Sequence, residues 1–253
     1  MDRKTEAFQR LLNVMDDLRE KCPWDRKQTN ASLRILTIEE VYELADAILD
    51  DSSDDIREEI GDIMLHMVFY AKIAEEQNEW DIADALNQLC NKLIQRHPHI
   101  YGDLKVEDEQ EVKKNWEQLK LDSGKKSILQ GVPNSLPALV KAYRMQDKTA
   151  QVGFEWENIS DVWNKVQEEM TELQEAIASG NQAEIEMEYG DLLFALVNYG
   201  RYLKVDPETA LEKVNRKFKT RFEYIENHAP QPLRDMNLME MDALWNEAKL
   251  LEK

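Results

Sequence analysis

The sequence predicts an all-α fold built as a tandem repeat of two helical bundles. Glycine and proline are scarce, with 8 and 7 copies among 253 residues. Apolar residues recur at spacings of three and four, as they do along amphipathic helices. In addition, a set of acidic residues recurs with identical spacing 129 positions later in the chain. Because this length also fits two domains of roughly 100 to 150 residues, we expect one helical domain per copy.

The predicted domains are separated by a linker. We place an N-terminal helical domain at residues 1–104 and a C-terminal helical domain at residues 137–253, with the linker at residues 105–136 between them. The linker begins with a charged stretch that predicts a short helix near residues 107–121. It continues as SGKKSILQGVPNSLP, whose glycine, serine and proline content is typical of a connecting segment.

In the first half, two successive helices carry an apolar stripe edged by acidic residues. The first stripe consists of Ile38, Val41, Leu44, Ala45 and Ile48, and the second of Ile60, Ile63, Met64 and Met67. At about 100° per residue, Glu40 and Glu43 lie at the edge of the first stripe, and Glu59 and Asp62 lie beside the second. We expect the stripes to be buried and the acids to face a cleft between helices.

The second half repeats this arrangement. Its stripes consist of Val166, Met170, Leu173 and Ile177, followed by Tyr189, Leu192, Leu193 and Leu196. Glycine lies inside the second helix of each pair, at Gly61 and Gly190, where it costs roughly 0.5 to 1 kcal/mol relative to alanine. Close approach of a neighbouring helix or of a ligand would explain either glycine.

Capping residues mark several helix boundaries. Asp81 precedes a periodic run, and Asp206 followed by Pro207 has the pattern of an N-cap with a first-turn proline. Gly180 and Asn181 have the pattern of one helix end followed by the next helix start. A short terminal helix is expected from residue 237 to about residue 251.

The repeated acidic residues predict metal sites. Each copy reads E-E-x-x-E and then E-x-G-D, and the members are Glu39, Glu40, Glu43, Glu59 and Asp62, then Glu168, Glu169, Glu172, Glu188 and Asp191. Like charges three residues apart on a helix repel by a few tenths of a kcal/mol, so helix stability alone does not favour the pattern twice. Four carboxylate ligands suit a hard divalent cation. The alternative, a solvated helix face, is a serious one for a single copy.

Each acidic set is followed by a lysine and an arginine one helical turn apart. These pairs are Lys92 with Arg96 and Lys217 with Arg221. Such a pair can bind one group of phosphate oxygens, although a solvated basic face is the alternative. Lys165, four residues before Glu169, distinguishes the halves because its counterpart in the first repeat is Leu36. The second half is therefore better equipped for phosphate chemistry.

The composition excludes several partners. The formal net charge is -19, and no stretch is dense enough in lysine and arginine to follow a nucleic-acid backbone or an anionic membrane. Cys22 and Cys90 have neither disulfide-framework nor zinc-ligand spacing. No apolar run reaches the 18 or more residues that a membrane span needs, and the N-terminus does not have the pattern of a signal peptide. We expect a soluble, cytoplasmic protein.

Several motifs resemble a known family. The duplicated acidic sets, together with CPWDRKQT, LIQRHPHIYGD, NWEQLK, VGFEW and EYGDLLFALVN, resemble MazG, a nucleoside triphosphate pyrophosphohydrolase of the all-α NTP pyrophosphatase superfamily. The resemblance runs over essentially the whole chain. It implies hydrolysis of NTPs and dNTPs of broad base preference to the monophosphate and pyrophosphate, in nucleotide-pool clean-up. It also implies Mg²⁺ as the cofactor, with Mn²⁺ as a possible substitute, and a homodimer.

The resemblance also implies roles for individual residues. The metal ligands would be Glu169, Glu172, Glu188 and Asp191 in the C-terminal site and Glu40, Glu43, Glu59 and Asp62 in the N-terminal site. The substrate-binding residues would be Lys165, Lys217, Arg221, Trp245 and Lys120, with Lys92 and Arg96 as N-terminal phosphate-binding candidates. Glu168, Glu172 and Lys165 are the expected catalytic residues, since a glutamate that the metal does not fully use can accept a proton from water. Cleavage at the α-phosphate rests on the resemblance alone.

Two other functions remain open at this point. One is a regulator without turnover, which would sense a nucleotide or metal and report it to a protein partner that the sequence does not identify. This alternative applies above all to the N-terminal domain, where Leu36 replaces the lysine. The other is a purely structural helical repeat.

Overall fold

The computed structural model describes residues 2–102 and 127–251. Within these ranges every regular element is helical, which confirms the all-α prediction. The chain divides into two compact units, Met1–Glu107 and Asp108–Lys253. The predicted linker helix and Lys120 lie outside the described residues. Among the described helices, none combines the length and the apolar character needed to cross a membrane.

The described part of the first unit, residues 2–102, contains five α-helices and a short 3-10 helix, Asp25–Lys27, between the first two. The α-helices are α1 (Arg3–Lys21), α2 (Asn30–Leu49), α3 (Ser53–Glu76), α4 (Ile82–Arg96) and α5 (Pro98–Tyr101). Helices α2 and α3 pack together as a hairpin that carries the first acidic set. Thr29 caps α2 and Asp81 caps α4, each through a reciprocal capping box, so the start predicted at Asp81 is confirmed.

The core of the first unit lies between α1, α2 and α3. Its buried residues are Met15, Leu33, Val68, Phe69 and Ile73. Arg19 of α1 closes one side of this core, since its Nε atom donates to Glu76 Oε1 at 2.9 Å and its Nη1 atom donates to the main-chain carbonyl of Asp25. The guanidinium also lies 5.4 Å from the centre of the Phe69 ring. Arg19 thus holds α1, the turn after it and the end of α3 together.

The second unit repeats the hairpin and adds a terminal helix. Its described α-helices are α6 (Ala138–Ala150), α7 (Ile159–Ser179), α8 (Gln182–Tyr202), α9 (Pro207–His228) and α10 (Leu238–Leu251). Gly180 ends α7 with a φ of 72°, a conformation that glycine adopts without strain, and Asn181 caps α8. Asp206 caps α9 ahead of a first-turn proline. These boundaries agree with those predicted from the sequence.

The apolar stripes are not buried in the single chain, contrary to the prediction from the sequence. Most of their members are exposed in the single chain, for example Val41 at 50%, Ile60 at 53% and Ile177 at 57%. The prediction of burial was wrong because these helices are apolar on more than one side, and the core uses other positions, such as Leu33 and Phe69. Two apolar hairpin faces are consequently left uncovered, one in each unit.

The helix-interior glycines lie on the same two hairpins. A Cβ atom added at Gly61 or Gly190 would meet no atom within 4 Å. Close approach of a neighbouring helix within the chain therefore does not explain either glycine.

Candidate active site

Helices α7 and α8 bring three of the predicted metal ligands together. One carboxylate oxygen each of Glu169, Glu172 and Glu188 lies within 4.8 Å of the other two. Glu169 and Glu172 share one face of α7 because they are three residues apart, and the hairpin places Glu188 of α8 opposite them. Glu169 is buried at 6% exposure, Glu188 is half-buried and Glu172 is exposed. The group thus extends from the protein interior to solvent.

Asp191, the fourth predicted ligand, lies three residues beyond Glu188 on α8. It is not a member of the three-oxygen group, but it lines the same cavity as Glu169. The structure therefore brings three of the four predicted C-terminal ligands to one point and puts Asp191 on an adjoining wall.

Lys165 lies between two glutamates of α7. Its Nζ atom is 2.7 Å from Glu168 Oε1 and 2.7 Å from Glu169 Oε1. The hydrogen bonds from Lys165 to Glu168 and Glu169 raise the pKa of its ammonium group far above the ordinary lysine value. Lys165 is consequently positively charged at the edge of the carboxylate group, and Glu168, which is outside the three-oxygen group, is its second partner.

The electrostatics of the three-oxygen group favour a bound cation. Desolvation, and then the hydrogen bond and charge of Glu169, raise the pKa of Glu172. Carboxylates this close repel one another unless one takes up a proton or a cation lies between them. Oxygen donors in such a cluster are the ligands that Mg²⁺ and Ca²⁺ prefer.

A cavity of about 530 Å³ opens beside these acids. Lys165, Glu169 and Asp191 contribute to its wall, and its remaining lining comes chiefly from α6, α8 and the loop between α6 and α7. That loop supplies Phe154 and Trp156. The volume lies within the range of small-molecule sites, which typically combine aromatic surface with a few polar groups.

The loop that carries the aromatic residues is fastened to the end of α8. Arg201 Nη2 lies 2.6 Å from Glu155 Oε1, and the Tyr202 hydroxyl donates to the Trp156 carbonyl at 2.5 Å. Sequence reasoning assigned no role to Phe154, Trp156 or Arg201. The VGFEW motif was the available signal, since it contains both aromatic residues, but it carries no spacing rule that predicts a cavity.

Three residues predicted to bind substrate do not line this cavity. They are Lys217, Arg221 and Trp245, on α9 and α10. The Arg221 guanidinium is 5.2 Å from the centre of the Trp245 ring, and the rings of Phe218 and Trp245 are 5.2 Å apart. Lys217 lies on α9 beside Phe218. Among the described residues that line the 530 Å³ cavity, none belongs to this α9–α10 cluster.

The first unit contains a matching carboxylate group. Oxygens of Glu40, Glu43 and Glu59 lie within 4.8 Å of one another. Desolvation, followed by the charges of neighbouring acids, raises the pKa of both Glu40 and Glu59. Asp62 is close enough to contribute to both shifts, although it is outside the three-oxygen group.

The basic residues differ between the two units. Leu36, at the position of Lys165, packs against the hydrophobic core of the first unit and offers no charge to a phosphate. Lys92 and Arg96 lie on α4, which packs against α3. The first unit therefore retains the acidic group without the lysine that accompanies it in the second.

Comparison with known proteins identifies the family. Residues 28–101 and 158–225 match the model of the MazG nucleotide pyrophosphohydrolase domain. The chain is 42% identical over 250 residues to the nucleoside triphosphate pyrophosphohydrolase/pyrophosphatase MazG of Thermotoga maritima, with 96% of this chain and 95% of that protein covered. It is 39% identical over 257 residues to the nucleoside triphosphate pyrophosphohydrolase of Escherichia coli K12, with 96% and 97% covered.

A crystal structure of a mazG-related protein from Thermotoga maritima aligns with a TM-score of 0.41 and 27% identity, over 45% of this chain and 98% of that one. The family model matches both halves of the chain, and each match includes one of the two carboxylate groups. Together with relatives that are similar over nearly their full length, these matches show that the chain belongs to the MazG nucleotide pyrophosphohydrolase family.

Proposed function

We propose that the second unit hydrolyses nucleoside triphosphates to the monophosphate and pyrophosphate, with Mg²⁺ as cofactor. The observation that carries this proposal is one cavity whose wall includes Lys165, Glu169, Asp191 and an aromatic surface. The triphosphate substrate and the pyrophosphate product follow the names of the relatives from Thermotoga maritima and Escherichia coli. Broad base preference, a part in nucleotide-pool clean-up and a cytoplasmic location belong to the same proposal.

The residues present fit a divalent cation. Glu169, Glu172 and Glu188 would hold it through the oxygens that lie within 4.8 Å of one another, and Asp191 is the nearby donor on the cavity wall. A bound Mg²⁺, or Mn²⁺ in its place, would neutralise phosphate charge and make a bound water more acidic.

The side chains of α7 supply the other functions. Lys165 remains protonated because of its two glutamate partners, so a phosphate oxygen that replaces one of them meets a full positive charge. Glu168 lies outside the three-oxygen group and becomes available once Lys165 turns to the substrate. We assign Glu168 the role of accepting the proton of the attacking water, with Glu172 as the second candidate.

Product analysis tests the proposed reaction. The full chain is incubated with ATP and Mg²⁺, and nucleotides and phosphates are separated by anion exchange, with a parallel reaction in EDTA. We expect AMP and pyrophosphate in equal amounts and no turnover in EDTA. Formation of ADP and orthophosphate would contradict the proposed cleavage.

We also propose that the protein is a homodimer. Met187 at 59% exposure and Leu193 at 38% flank Gly190 on α8, and a Cβ atom at this glycine would meet no atom of its own chain within 4 Å. An apolar face with a central glycine suits close packing against another helix, and a second copy of the chain would supply one.

Sedimentation velocity tests the dimer. The wild-type chain should sediment as a dimer, and Leu193→Glu should shift it toward the monomer because a charge would enter an apolar interface. An exposed change on the opposite side of the same helix, Glu184→Gln, should leave the dimer intact, because residue 184 is rotated by about 180° from Leu193. A wild-type monomer at micromolar concentration would contradict this part of the proposal.

For the first unit we propose metal or nucleotide binding without turnover. The specific observation is that Leu36 is packed into the core while Glu40, Glu43 and Glu59 remain grouped. In a Glu172→Gln chain, with the second site disabled, we expect residual Mg²⁺ binding by calorimetry and no pyrophosphate release. Residual turnover that disappears on addition of Glu43→Gln would show instead that the first unit is catalytic.

A further inference from the structure

His66 of α3 is a buried histidine with an unpaired ring nitrogen. The residue is 7% exposed, and its Nδ1 atom is buried without a hydrogen-bond partner among the described residues. Desolvation lowers the pKa of its imidazole, although the charge of Asp62 acts in the opposite direction. A neutral imidazole keeps a lone pair on one ring nitrogen, which can bind a metal ion.

His66 lies on the same face of α3 as two acids of the first unit. It follows Asp62 by four residues and Glu59 by seven, which at about 100° per residue places all three positions within an arc of about 60°. Two metal-binding side chains four residues apart on a helix can hold one ion, as in helical zinc motifs. Across the hairpin, Asp62 is the strongest of the neighbouring charges that raise the pKa of Glu40.

The carboxylate group of the first unit has an unpaired atom of its own. Glu59 Oε2 is buried and has no hydrogen-bond partner among the described residues. Buried polar atoms without partners are unfavourable and rare, so two of them on one face of α3 indicate a missing ligand. His66 is outside the three-oxygen group, so it extends the set of donors along α3 past Asp62.

The second unit has no histidine at the corresponding position. The repeat offset of 129 relates His66 to Ala195 and Asp62 to Asp191. Ala195 and Asp191 line the same cavity wall, so a side chain at this position of the hairpin lies near the acids. The described metal-binding candidates of the second unit are therefore all oxygen donors, whereas the first unit adds a nitrogen.

We propose that the first unit is a transition-metal site, in which His66 Nδ1 and Asp62 bind a divalent ion such as Co²⁺ or Zn²⁺ beside the group formed by Glu40, Glu43 and Glu59. This inference rests on the metal binding proposed for the first unit and names the class of ion. Oxygen ligands suit Mg²⁺, whereas an imidazole nitrogen favours the later first-row ions. The duplication thus produced two sites of different metal preference.

Cobalt NMR tests whether a histidine is a ligand. An untagged full-length chain carries Glu172→Gln and Glu188→Gln, which disable the second site, and is loaded with one equivalent of Co²⁺. We expect an exchangeable imidazole N–H signal that the paramagnetic ion shifts far outside the ordinary range, because the ring nitrogen that does not bind the ion keeps its proton. The signal should disappear in His66→Gln. Its absence from the parent chain, or its persistence in His66→Gln, would overturn the role of His66.

The other histidines provide a matched control. The chain has four histidines, and His97, His99 and His228 are replaced together by glutamine. His66 is then the remaining histidine, and the shifted signal should persist. Loss of the signal would assign it to another histidine and overturn the proposal. This variant keeps the buried His66, so the test does not depend on whether His66→Gln folds.

Calorimetry measures the metal preference. In the chain with the second site disabled, Co²⁺ should bind at least about tenfold more tightly than Mg²⁺. His66→Gln should weaken Co²⁺ binding by about 10- to 100-fold and change Mg²⁺ binding by less than about twofold. An unchanged Co²⁺ affinity, or equal losses for both ions, would overturn the role of His66.

The proposals fail in different ways. Absence of AMP and pyrophosphate from the wild-type reaction would overturn the proposed hydrolysis and leave these metal measurements unaffected. Absence of all divalent-ion binding from the chain with the second site disabled would overturn metal binding by the first unit, and the role of His66 with it. Bound Co²⁺ without a histidine signal would overturn the role of His66 alone.

Discussion

Replacing Glu188 with glutamine should stabilise the metal-free protein and weaken its response to Mg²⁺. The change keeps the size and shape of the side chain and removes one of three negative charges that lie within 4.8 Å of one another. Neutralising a metal ligand therefore stabilises the metal-free protein and weakens the stabilisation that bound Mg²⁺ provides. A surface glutamate outside such a group would change neither by much.

The distances set the size of both effects. At 4.8 Å, the repulsion between Glu188 and Glu169 is about 0.9 kcal/mol in water and about 3.5 kcal/mol at an effective dielectric constant of about 20. Glu188 is half-buried, so we expect a gain near the lower figure, about 1 kcal/mol, which corresponds to a rise of about 2 to 4 °C in Tm for a chain of this size.

The response to metal should change in the other direction. Mg²⁺ at 100 times its Kd would stabilise the wild-type protein by about 2.7 kcal/mol. A variant that binds tenfold more weakly at the same concentration would gain only about 1.4 kcal/mol. The Tm of both proteins is measured by calorimetry in EDTA and across a Mg²⁺ titration.

Glu186→Gln is the control, since it makes the same charge change on α8 outside the carboxylate group and corrects for the net charge of -19. Suppose that Glu188→Gln matched this control in EDTA and kept the full Mg²⁺ response. The three carboxylates would then share no ion, and the proposed metal site would be wrong.

Three further predictions concern catalysis, pH and stability. Glu172→Gln should abolish pyrophosphate release while Glu43→Gln has a smaller effect, and equal losses would remove the distinction between the two units. Because the folded-state pKa of Glu172 lies above the ordinary carboxyl value, Glu172 takes up a proton at a higher pH than an ordinary carboxyl group does. Mg²⁺ affinity measured by calorimetry should therefore fall from pH 8 toward pH 5, and an affinity independent of pH would contradict this. The metal-free protein should become more stable over the same range, because its folded state takes up that proton at a higher pH than the unfolded state does. Arg19→Ala should lower the free energy of unfolding, measured in urea, by about 2 kcal/mol, because the charged hydrogen bonds from Arg19 to Glu76 and to the Asp25 carbonyl are lost. Arg19→Lys should recover only part of that loss. An Arg19→Ala variant as stable as the wild type would show that these hydrogen bonds do not stabilise the fold.

The local features of the fold could be predicted because their causes are local. Asp81, Asp206 and Asn181 accept hydrogen bonds from main-chain N–H groups within three residues, and Gly180 needs only its own backbone freedom to end α7. The pairing of Glu169 with Glu172 follows equally from three-residue spacing on a helix. Such features depend on neighbours in sequence, so the sequence displays them directly.

The buried faces were predicted less well. Periodicity shows that a helix has an apolar side but not which partner covers it, and α2 and α3 are apolar on more than one side. Leu33 and Phe69 form the core while Val41 and Ile60 remain exposed. The choice depends on how α1 docks onto the hairpin, which no local pattern determines.

The sequence alone determined that this chain is a helical duplication with two carboxylate groups, because repeat spacing and helical period are properties of the linear order of residues. Only the tertiary structure decided that Gln146, Phe154 and Trp156 share a cavity with Lys165 and Glu169, and that Trp245 does not line it. The physical reason is that α6 packs against α8, and the cavity forms where α6 and its following loop meet the acidic side chains of α7 and α8. Contacts between residues distant in sequence determine that packing, and such contacts produce no periodic pattern in the sequence.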